Sequence, residues 1–397
     1  MSSSPSQPLA GRRIWIAGIG GAGMSGYALL ARAWGAEVAG WDRVETPYLR
    51  HLDDIAVEIS AEPPAPPPGW DAYVSTAFAG RVDGRSRADL VAELVALRRT
   101  IVVAGAHGKT TTSAMIAFCL DRLGLEPAFL IGGDVPQLGG NARAGSGWLV
   151  VEGDESDRSV GALRPEIAVL LNVDLDHHTT FASRAELESF FDDWLRDVPH
   201  VVRAEELEPT TLELAVKGEH NRRNAAAALA ALELAGVPRE DAEKAIVEFL
   251  GAGRRLEPRG EVAGVTVVDS YAHHPAELEA DLAALRCSGR LLALFQPHLY
   301  SRTLNLAHGF AEALAGADAA CVTEIYPARE QPVPGVSGRL IVDELARVRP
   351  GMRIGWAPSV EDAAAIVAGW SRPGDTVLTL GAGDVDRAAP LILEALG

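Results

Sequence analysis

Residues 101–113, IVVAGAHGKTTTS, decide the fold of the central part of this 397-residue chain. The apolar start predicts a buried strand, and the glycines and threonines that follow predict a tight loop that opens a helix. The loop is an incomplete P-loop, because Val103 stands where the complete pattern requires its first glycine. Lys109 would reach the β- and γ-phosphates of a nucleoside triphosphate, and Thr110 would bind Mg²⁺. A Gly-Lys-Thr triplet is common by chance, but its place between a strand and a helix favours nucleotide binding.

A second glycine loop, Gly18–Gly23 (GIGGAG), lies nearer the N-terminus between another predicted strand and helix. It fits the pattern G-x-G-x-x-G, and Asp42 ends the next predicted strand about 20 residues later, where an acid would meet a ribose hydroxyl. Backbone N–H groups of such a loop bind phosphate at the helix N-terminus. The loop alone is typical of NAD sites, although any nucleotide diphosphate would satisfy the same geometry. A tight turn without a ligand is the alternative.

Predicted strands and helices alternate along most of the chain, which indicates parallel sheets covered by helices. We therefore predict an α/β protein of three consecutive domains, at residues 1–99, 100–252 and 253–397. The first and third domains are expected to be Rossmann-like, and the central one is expected to be of the P-loop ATPase type. A Gly- and Arg-rich stretch at 251–260 is predicted to be a linker.

The composition narrows the choice of partners and compartment. A formal net charge of −18 argues against nucleic acid as a partner, because binding its phosphates needs a surplus of Lys and Arg. The three cysteines are far apart and predict reduced thiols rather than disulfides or a zinc site. Arg12 and Arg13 precede an apolar run and resemble the start of a signal peptide, but the glycines in that run argue against export. The prediction is a cytoplasmic protein with no membrane partner.

Two acidic clusters follow predicted strands of the central domain, EGDESD at 152–157 and NVDLDHH at 172–178. Clustered carboxylates repel each other unless a cation neutralises them, so a cation is expected here. A solvated acidic loop is the alternative. Because Mg²⁺ prefers oxygen ligands, the chemistry alone favours Asp176 over the neighbouring histidines.

Amides and guanidinium groups supply further candidate ligand contacts. Asn221 and Asn224 are three residues apart at a predicted helix start and share a face, where their amides would suit the edge of a purine. N-capping by Asn221 is the alternative. Arg254 and Arg255 would clamp phosphates if the domains close on each other.

Two polar clusters end predicted strands of the third domain, DSYAHHPAEL at 269–278 and FQPHLYSRT at 295–303. In an open α/β sheet, ligands bind at the carboxyl ends of the strands. A third substrate is therefore expected at these clusters, with ordinary surface polarity as the alternative.

Taken in order, these stretches resemble the Mur ligases of peptidoglycan synthesis. The similarity extends over nearly the whole chain and is carried by GIGGAGMSG, AGAHGKTTT, EGDESD, NVDLDHH, GEHNRRNA, GRRLEPRGEV, VVDSYAHHPAE, FQPHLYSRT and LGAGDV. The resemblance implies a ligase that uses ATP and two Mg²⁺ ions. Its substrates would be UDP-N-acetylmuramate and L-alanine, joined at the muramoyl carboxylate through an acyl phosphate.

The resemblance also implies a role for each matching residue. The UDP-substrate site would comprise Gly18, Ile19, Gly20, Gly21, Ala22, Gly23, Met24, Ser25, Asp42 and Ser75. The ATP site would comprise Gly105, Ala106, His107, Gly108, Lys109, Thr110, Thr111, Asn221, Asn224, Arg254, Arg255 and Asp269. The metal ligands would be Thr110, Glu152 and His177, against the chemical preference for Asp176. Tyr271, His273 and Arg302 would bind the amino acid, and the catalytic residues would be Lys109, Arg302 and His273, the last as the general base.

The chain departs from the family pattern in three places. The segment between Leu195 and Gly218 is shorter than the family usually carries, which predicts a reduced accessory sheet in the central domain. Leu299 stands where the family often has an arginine for the amino-acid carboxylate, so Arg302 would make that contact largely alone. Ser270 replaces an often acidic neighbour of Asp269.

Three other functions remain as alternatives. A related ligase would add a preformed peptide in place of one amino acid, but the FQPHLYSRT cluster favours the single amino acid. An NAD-dependent dehydrogenase would explain the first loop and leave the Lys109 loop and the acidic cluster unexplained. A non-catalytic nucleotide-binding relative would have no need for Lys109, Thr110, Glu152 and His177.

Overall fold

The structure, a computed structural model, describes residues 7–174, 180–286, 289–328 and 330–397. Its contacts divide the described chain into two compact units. The first unit runs to Val216 and includes Asn221–Ala252, and the second comprises Lys217–His220 and Gly253–Gly397. Two sheets lie in the first unit and a third sheet lies in the second. The predicted α/β class, with three successive sheets, is confirmed.

The first sheet surrounds a central strand that ends at the first glycine loop. Its strands are β1 (Arg13–Ala17), β2 (Glu37–Asp42), β3 (Ala56–Ile59), β4 (Asp71–Val74) and β5 (Arg85–Ser86), with helices α1 (Ala22–Ala33) and α2 (Arg87–Ala96). All pairs are parallel, in the order β3-β2-β1-β4-β5. Strand β1 is apolar and buried at four of its five positions, as expected for a strand covered on both faces. Ser86 and Asp89 form a capping box that starts α2.

The second sheet carries the second glycine loop. Its strands are β6 (Thr100–Ala104), β7 (Ala128–Val135), β8 (Gly140–Arg143), β9 (Leu149–Glu152), β10 (Ile167–Leu170) and β11 (His200–Arg203). Its helices are α3 (Lys109–Arg122), α4 (Arg184–Leu195), α5 (Glu219–Leu234) and α6 (Arg239–Ile246). The order is β11-β10-β6-β9-β7-β8, parallel except for β8, which pairs antiparallel with β7. Every residue of β6 is buried, so the loop that follows it starts from the interior of the sheet.

The third sheet has a similar plan with one antiparallel edge. Its strands are β12 (Glu257–Val262), β13 (Val265–Ser270), β14 (Leu291–Phe295), β15 (Ala319–Thr323), β16 (Arg353–Ala357) and β17 (Thr376–Leu380). Its helices are α7 (Pro275–Ala284), α8 (Tyr300–Leu314), α9 (Arg339–Val348), α10 (Val360–Trp370) and α11 (Ala388–Leu396). The order is β12-β13-β17-β14-β15-β16, with β12 antiparallel to β13. The carboxyl ends of β13, β14, β15 and β17 therefore meet along one edge.

One hydrophobic core joins the two sheets of the first unit. Ile16 of β1, Leu30 of α1, Val102 of β6 and Leu130 of β7 belong to the same buried cluster. Helix α1 also packs against β7 and β8, which brings the first glycine loop close to the central sheet. Within the described residues, no helix combines the length and the apolar character that crossing a membrane requires.

Several elements differ from the sequence-based expectation. The predicted linker at 251–260 is wrong in its second half, because β12 begins at Glu257. The β7–β8 hairpin was not predicted, because glycines and an aspartate interrupt its apolar pattern. Strand β16 and helices α9 to α11 were not predicted either. The region from 195 to 218, which is shorter than the family usually carries, contains a single strand, β11.

Candidate functional site

The first glycine loop joins β1 to α1 and is fastened to the end of β2. The N–H of Gly18 donates to the Trp41 carbonyl at 2.7 Å. The N–H of Gly20 donates to Asp42 Oδ2 at 2.8 Å, and the other carboxylate oxygen accepts the N–H of Arg43. Asp42 is only 6% exposed. Its carboxylate therefore braces the loop, and the predicted contact with a ribose hydroxyl stays a prediction.

Ser75, the first residue after β4, lies against the same loop. Gly18 has φ +79°, and a Cβ on it would overlap Ser75 Oγ. Met24 and Ser25 are each 3% exposed on α1, and Ser25 Oγ donates to the Ala22 carbonyl at 3.2 Å. The side chains of Met24 and Ser25 thus face the interior. A phosphate at this segment would be bound by the backbone N–H groups at the start of α1.

The second glycine loop joins β6 to α3 and presents the predicted phosphate lysine. Lys109 Nζ donates to the Gly105 carbonyl at 2.6 Å and to both carboxylate oxygens of Glu155 at 3.0 and 3.1 Å. Asn172, which follows β10, exchanges two hydrogen bonds of 2.9 Å with the backbone of His107. No sequence argument gave Asn172 a role, yet it holds the loop in shape.

The pair formed by Lys109 and Glu155 is buried. The side chains are 17% and 3% exposed, respectively. Burial opposes the charge of Lys109, but Glu155 and then Glu152 raise its pKa above the ordinary value. Burial raises the pKa of Glu155, and the Lys109 ammonium opposes that rise. An internal carboxylate therefore holds the lysine as an ammonium at the place where a phosphate is expected.

The two predicted adenine-binding asparagines lie beside the second loop. A Cβ on Gly108 would be 2.5 Å from Asn224 Oδ1, so the Asn224 amide lies against the loop backbone. Asn224 Nδ2 donates to Asn221 Oδ1 at 3.3 Å, and each residue is 8% exposed. Helix α5 begins at Glu219, before Asn221, so the alternative that Asn221 caps this helix is wrong.

Thr110 and Glu152 are the predicted metal ligands that the structure describes, whereas His177 and Asp176 lie outside the described residues. Thr110 is 5% exposed near the start of α3. Glu152 Oε2 accepts the N–H of Gly132 at 2.7 Å. In the part of the chain that is described, no three His, Cys, Asp or Glu side chains form a metal-binding group. A hydroxyl and a carboxylate are the oxygen donors that Mg²⁺ prefers, so these two residues fit that ion.

A cavity of about 320 Å³ lies between the start of α1 and the start of α3. Ala22 and Gly23 line it on one side, and Lys109 and Glu152 line it on the other. Asn141 of β8 also lines it, and its Nδ2 donates to the Ala22 carbonyl at 3.1 Å. One cavity therefore brings the start of α1 next to Lys109, the predicted phosphate-binding residue.

Arg87, at the start of α2, lines the same cavity and binds the acidic cluster. Its Nη2 donates to Asp154 at 3.1 Å and to Asp157 at 2.5 Å, and its Nη1 donates to the Tyr27 hydroxyl at 3.3 Å. Burial alone would lower the pKa of Arg87. The neighbouring Tyr27 and Asp157 outweigh this effect, and the pKa lies above its ordinary value. With Glu155 bound to Lys109, the acidic cluster faces cations of the protein itself. The alternative of a solvated acidic loop is therefore wrong for the buried Glu155, whereas Asp154 and Asp157 pair with Arg87 and keep part of their side chains in solvent.

In the second unit, Arg254 and Asp269 form a buried ion pair at the end of β13. Arg254 Nε donates to Asp269 Oδ2 at 2.7 Å, and its Nη2 donates to the Gly381 carbonyl at 2.7 Å. Asp269 is fully buried. Arg255 lies 3.7 Å from Glu277. The predicted ATP contacts of Arg254, Arg255 and Asp269 stay predictions. In this structure Arg254 and Asp269 bind each other, and Arg255 lies beside Glu277.

The predicted amino-acid residues lie at the carboxyl ends of β13 and β14 and are connected through His298. The Tyr271 and His273 rings are 5.4 Å apart, and the His273 and His298 rings are 6.0 Å apart. His298 Nδ1 lies 3.1 Å from Arg302 Nη1. Arg302 is 5% exposed in the first turn of α8. The structure thus groups Tyr271, His273 and Arg302 and adds His298, which the sequence argument had not assigned.

The hydrogen bonds of His273 indicate the tautomer of its neutral ring. Its Nδ1 is 2.9 Å from the Tyr271 carbonyl oxygen, which can only accept, so Nδ1 carries the hydrogen and Nε2 is the basic nitrogen. Glu277 Oε2 accepts the backbone N–H of His273 at 3.0 Å and lies 3.5 Å from Nδ1. A carboxylate is therefore placed to stabilise the ring when Nε2 takes up a proton.

Two of the residues that depart from the family pattern, Ser270 and Leu299, make defined contacts in the structure. Ser270 Oγ donates to Asp281 Oδ2 at 2.5 Å, and burial raises the pKa of Asp281 to about 7. An acid at 270 would face this buried carboxyl, which the serine instead hydrogen-bonds. Leu299 has φ +72° just before α8, and its N–H donates to the Tyr326 carbonyl at 3.0 Å.

Comparison with known protein families gives two matches. The Mur ligase middle domain matches residues 103–191. The glutamate ligase domain of the Mur ligases matches residues 254–383. The two matches include the second glycine loop and both polar clusters of the third sheet.

Individual relatives are similar over the full chain. The chain is 38% identical over 462 residues to the UDP-N-acetylmuramate–L-alanine ligase of Streptomyces avermitilis, covering 99% of each. It is 39% identical over 461 residues to the enzyme of that name from Streptomyces coelicolor, again covering 99% of each. The aligned length exceeds the 397 residues of this chain, so the chain lacks segments that these relatives carry.

Among solved structures, the UDP-N-acetylmuramate-alanine ligase of Thermotoga maritima superposes with a TM-score of 0.78 at 24% identity, covering 96% of this chain and 98% of that chain. This likeness concerns the fold.

Proposed function

This chain belongs to the Mur ligase family, and we propose that it joins L-alanine to the muramoyl carboxylate of UDP-N-acetylmuramate at the expense of ATP. The reaction forms a carbon–nitrogen bond and supplies a precursor of peptidoglycan. Full-length similarity to ligases of that name supports both substrates. In this proposal residues 1–99 bind the UDP substrate, residues 100–252 bind ATP and residues 253–397 bind the amino acid.

The observation that carries the proposal is the cavity lined both by Ala22 and Gly23, at the end of the first glycine loop, and by Lys109, directly after the second. A substrate whose diphosphate meets the start of α1 would extend its carboxylate toward Lys109 and Glu152. A ligase needs this arrangement, because the γ-phosphoryl group must reach that carboxylate. A dehydrogenase would need only the first loop, and it would leave Lys109 and Glu152 on the other side of the cavity without a role.

The first chemical step activates the muramoyl carboxylate, which is a poor electrophile. Its oxygen attacks the γ-phosphorus of ATP, ADP leaves, and the acyl phosphate that forms has a good leaving group. The Lys109 ammonium neutralises charge on the transferring group and helps to position it. To do so, Lys109 must exchange the Glu155 carboxylate for phosphate oxygens.

The residues around Lys109 account for the remaining nucleotide contacts in this proposal. Thr110 and Glu152 would hold Mg²⁺ together with His177, and two ions are proposed. When bound, Mg²⁺ neutralises phosphate charge during the transfer. Asn221 and Asn224 would bind the adenine from their place beside the loop.

The second step forms the amide. Arg302 binds the carboxylate of L-alanine, for which its planar guanidinium is suited. His273 Nε2 accepts a proton from the alanine ammonium, and Glu277 stabilises the imidazolium that results. The free amine attacks the acyl carbon, and the tetrahedral intermediate collapses to the amide and phosphate.

Phosphate release from ATP tests the proposal when L-alanine, glycine, L-serine and a tripeptide are compared as acceptors. Cleavage is expected only when UDP-N-acetylmuramate and an acceptor are both present, with L-alanine the best acceptor. No turnover with any acceptor would refute the ligase function, and preference for the tripeptide would favour the peptide-adding relative.

Lys109→Ala provides a variant for the same assay. It should abolish turnover and leave the binding of a uridine nucleotide intact, because the first loop is independent of this lysine. Loss of both properties would contradict the separation of the two phosphate sites. Fluorescence titration with NADH should show no binding.

A further inference from the structure

The loops that follow β14 and β15 are joined backbone to backbone in the second unit. His298 and Tyr326 form an isolated parallel bridge between them. The N–H of Tyr326 donates to the Pro297 carbonyl at 2.8 Å, and the N–H of Leu299 donates to the Tyr326 carbonyl at 3.0 Å. Leu299 has φ +72°, in the left-handed region that a leucine rarely adopts. The bridge thus holds the start of α8 in a conformation that the chain would otherwise avoid.

The side chains continue this connection toward Arg302. The His298 and Tyr326 rings are 5.8 Å apart and nearly parallel, with 13° between their planes. His298 Nδ1 lies 3.1 Å from Arg302 Nη1. Because a guanidinium can only donate, Nδ1 is the acceptor, and the hydrogen of the neutral ring is on Nε2. Tyr326 therefore stacks on the ring that orients Arg302.

The Tyr326 ring is itself closely fitted against the loop after β17. A Cβ on Gly383 would be 2.6 Å from Tyr326 Cγ, so a residue with a side chain would displace the ring. Four aromatic rings, those of Tyr271, His273, His298 and Tyr326, follow one another at 5.4, 6.0 and 5.8 Å. Tyr326 is the end of this row that is fixed to the sheet edge by its backbone.

We propose that Tyr326 is a positioning residue for the amino-acid substrate: through its stack on His298 it holds Arg302 in the orientation that binds the substrate carboxylate. The inference rests on the proposed function, in which Arg302 makes that contact. A guanidinium binds a carboxylate through two parallel hydrogen bonds, which requires a defined orientation of its plane. Leu299 offers no such group, so the orientation of Arg302 determines how well the carboxylate is held.

Two variants of the full-length protein, Tyr326→Leu and Tyr326→Phe, test the inference. Tyr326→Leu removes the stack and should raise the KM for L-alanine about tenfold or more, with the KM values for ATP and UDP-N-acetylmuramate unchanged. Tyr326→Phe keeps the ring and should retain the parent values. A parent-like KM for L-alanine in Tyr326→Leu would overturn the inference, as would an equal rise in all three KM values or a Phe variant as impaired as the Leu variant.

The state of the His298 ring gives a second measurement that does not depend on turnover. The ¹⁵N shifts of this ring should report the hydrogen on Nε2 in the parent and in Tyr326→Phe, and a mixture of forms in Tyr326→Leu. If the parent releases no phosphate with L-alanine, the proposed function fails, and this measurement still decides whether Tyr326 positions His298. An unchanged ring in Tyr326→Leu would contradict the inference.

Discussion

Lys109 and Glu155 form a buried ion pair in the second glycine loop, with Nζ at 3.0 and 3.1 Å from the two carboxylate oxygens. The same ammonium is the group expected to meet the γ-phosphate of ATP. Glu155 supplies the counter-charge that a buried lysine needs, and in the proposed function it would compete with the nucleotide for Lys109. Binding of ATP would then exchange one anion for another at this nitrogen.

Replacing this carboxylate should make the protein more dependent on its nucleotide. Glu155→Gln leaves Lys109 beside a neutral amide, which should lower the free energy of unfolding by about 1–3 kcal/mol in the absence of ligand. ATP with Mg²⁺ then supplies the missing negative charge. The rise in Tm on adding ATP should therefore be larger in the variant than in the parent, and scanning calorimetry measures both quantities.

Glu166→Gln is the matched control for Glu155→Gln. Glu166 is 33% exposed in its ion pair with Arg99, and exposed pairs contribute about 0–1 kcal/mol. This variant should behave as the parent does with and without ATP. An ATP-induced rise in Tm that is no larger in Glu155→Gln than in the parent would contradict the competition between Glu155 and phosphate.

Asp42 should act through the loop it braces. Asp42→Asn keeps an oxygen that can accept the Gly20 N–H, whereas Asp42→Ala removes it. The alanine variant should weaken binding of UDP-N-acetylmuramate about tenfold, and the asparagine variant should keep most of the affinity. Titration calorimetry with the uridine nucleotide compares the two. Equal losses would show instead that the charge of Asp42 contacts the substrate, as the ribose prediction requires.

The two glycine loops were predictable because each motif is local. A buried strand, a glycine turn and a helix follow one another within a few residues, so sequence neighbours become neighbours in space. The residues that hold these loops were not predictable for the opposite reason. Asn141 donates to a carbonyl 119 residues away in sequence, and Asn172 bonds to a backbone 65 residues away. Such contacts depend on how two sheets pack.

The acidic cluster at 152–157 was also predictable only in part. Its composition predicted a neighbouring cation, and the cations are Arg87 and Lys109. Sequence spacing cannot show that α2, which belongs to the first sheet, begins beside β9 of the second. Tyr326 was missed for a similar reason, because it follows β15, whereas the cluster it stacks against follows β14, and because it belongs to no motif.

His273 should contribute to kcat and not to nucleotide binding. His273→Ala is expected to lower kcat by about 10²–10⁴-fold, the usual contribution of a general base, with the KM for ATP unchanged. Added imidazole should restore part of the rate, because it can take the proton that Nε2 would accept. His308→Ala, whose side chain is 65% exposed on α8, is the control. A His273→Ala enzyme with parental kcat would exclude His273 as the base.

Asp281 should make the stability of the protein depend on pH. Burial raises its pKa from an ordinary 3.8 to about 7, against a hydrogen bond from Ser270 that lowers it, with the nearby Glu277 raising it and Arg255 lowering it. The folded chain thus keeps a proton that the unfolded chain releases above about pH 4. The contribution of this group to the free energy of unfolding therefore falls as pH rises from about 4 to about 7, by on the order of 2–4 kcal/mol.

A comparison of Asp281→Asn with the parent isolates this contribution. His220 lies 3.9 Å from Asp281, and burial lowers its pKa, so its own effect runs the other way: it reduces stability as pH falls. The pH profile of the parent therefore contains the contributions of both Asp281 and His220 to stability. Subtracting it from the profile of the variant removes most of the His220 contribution, which the two proteins share. The Tm of Asp281→Asn minus the Tm of the parent, measured by calorimetry, should be larger at pH 8 than at pH 5. Asp343→Asn, on the exposed side of α9, should show no such trend, and a flat difference for Asp281→Asn would contradict a titration of Asp281 in the folded chain within this range.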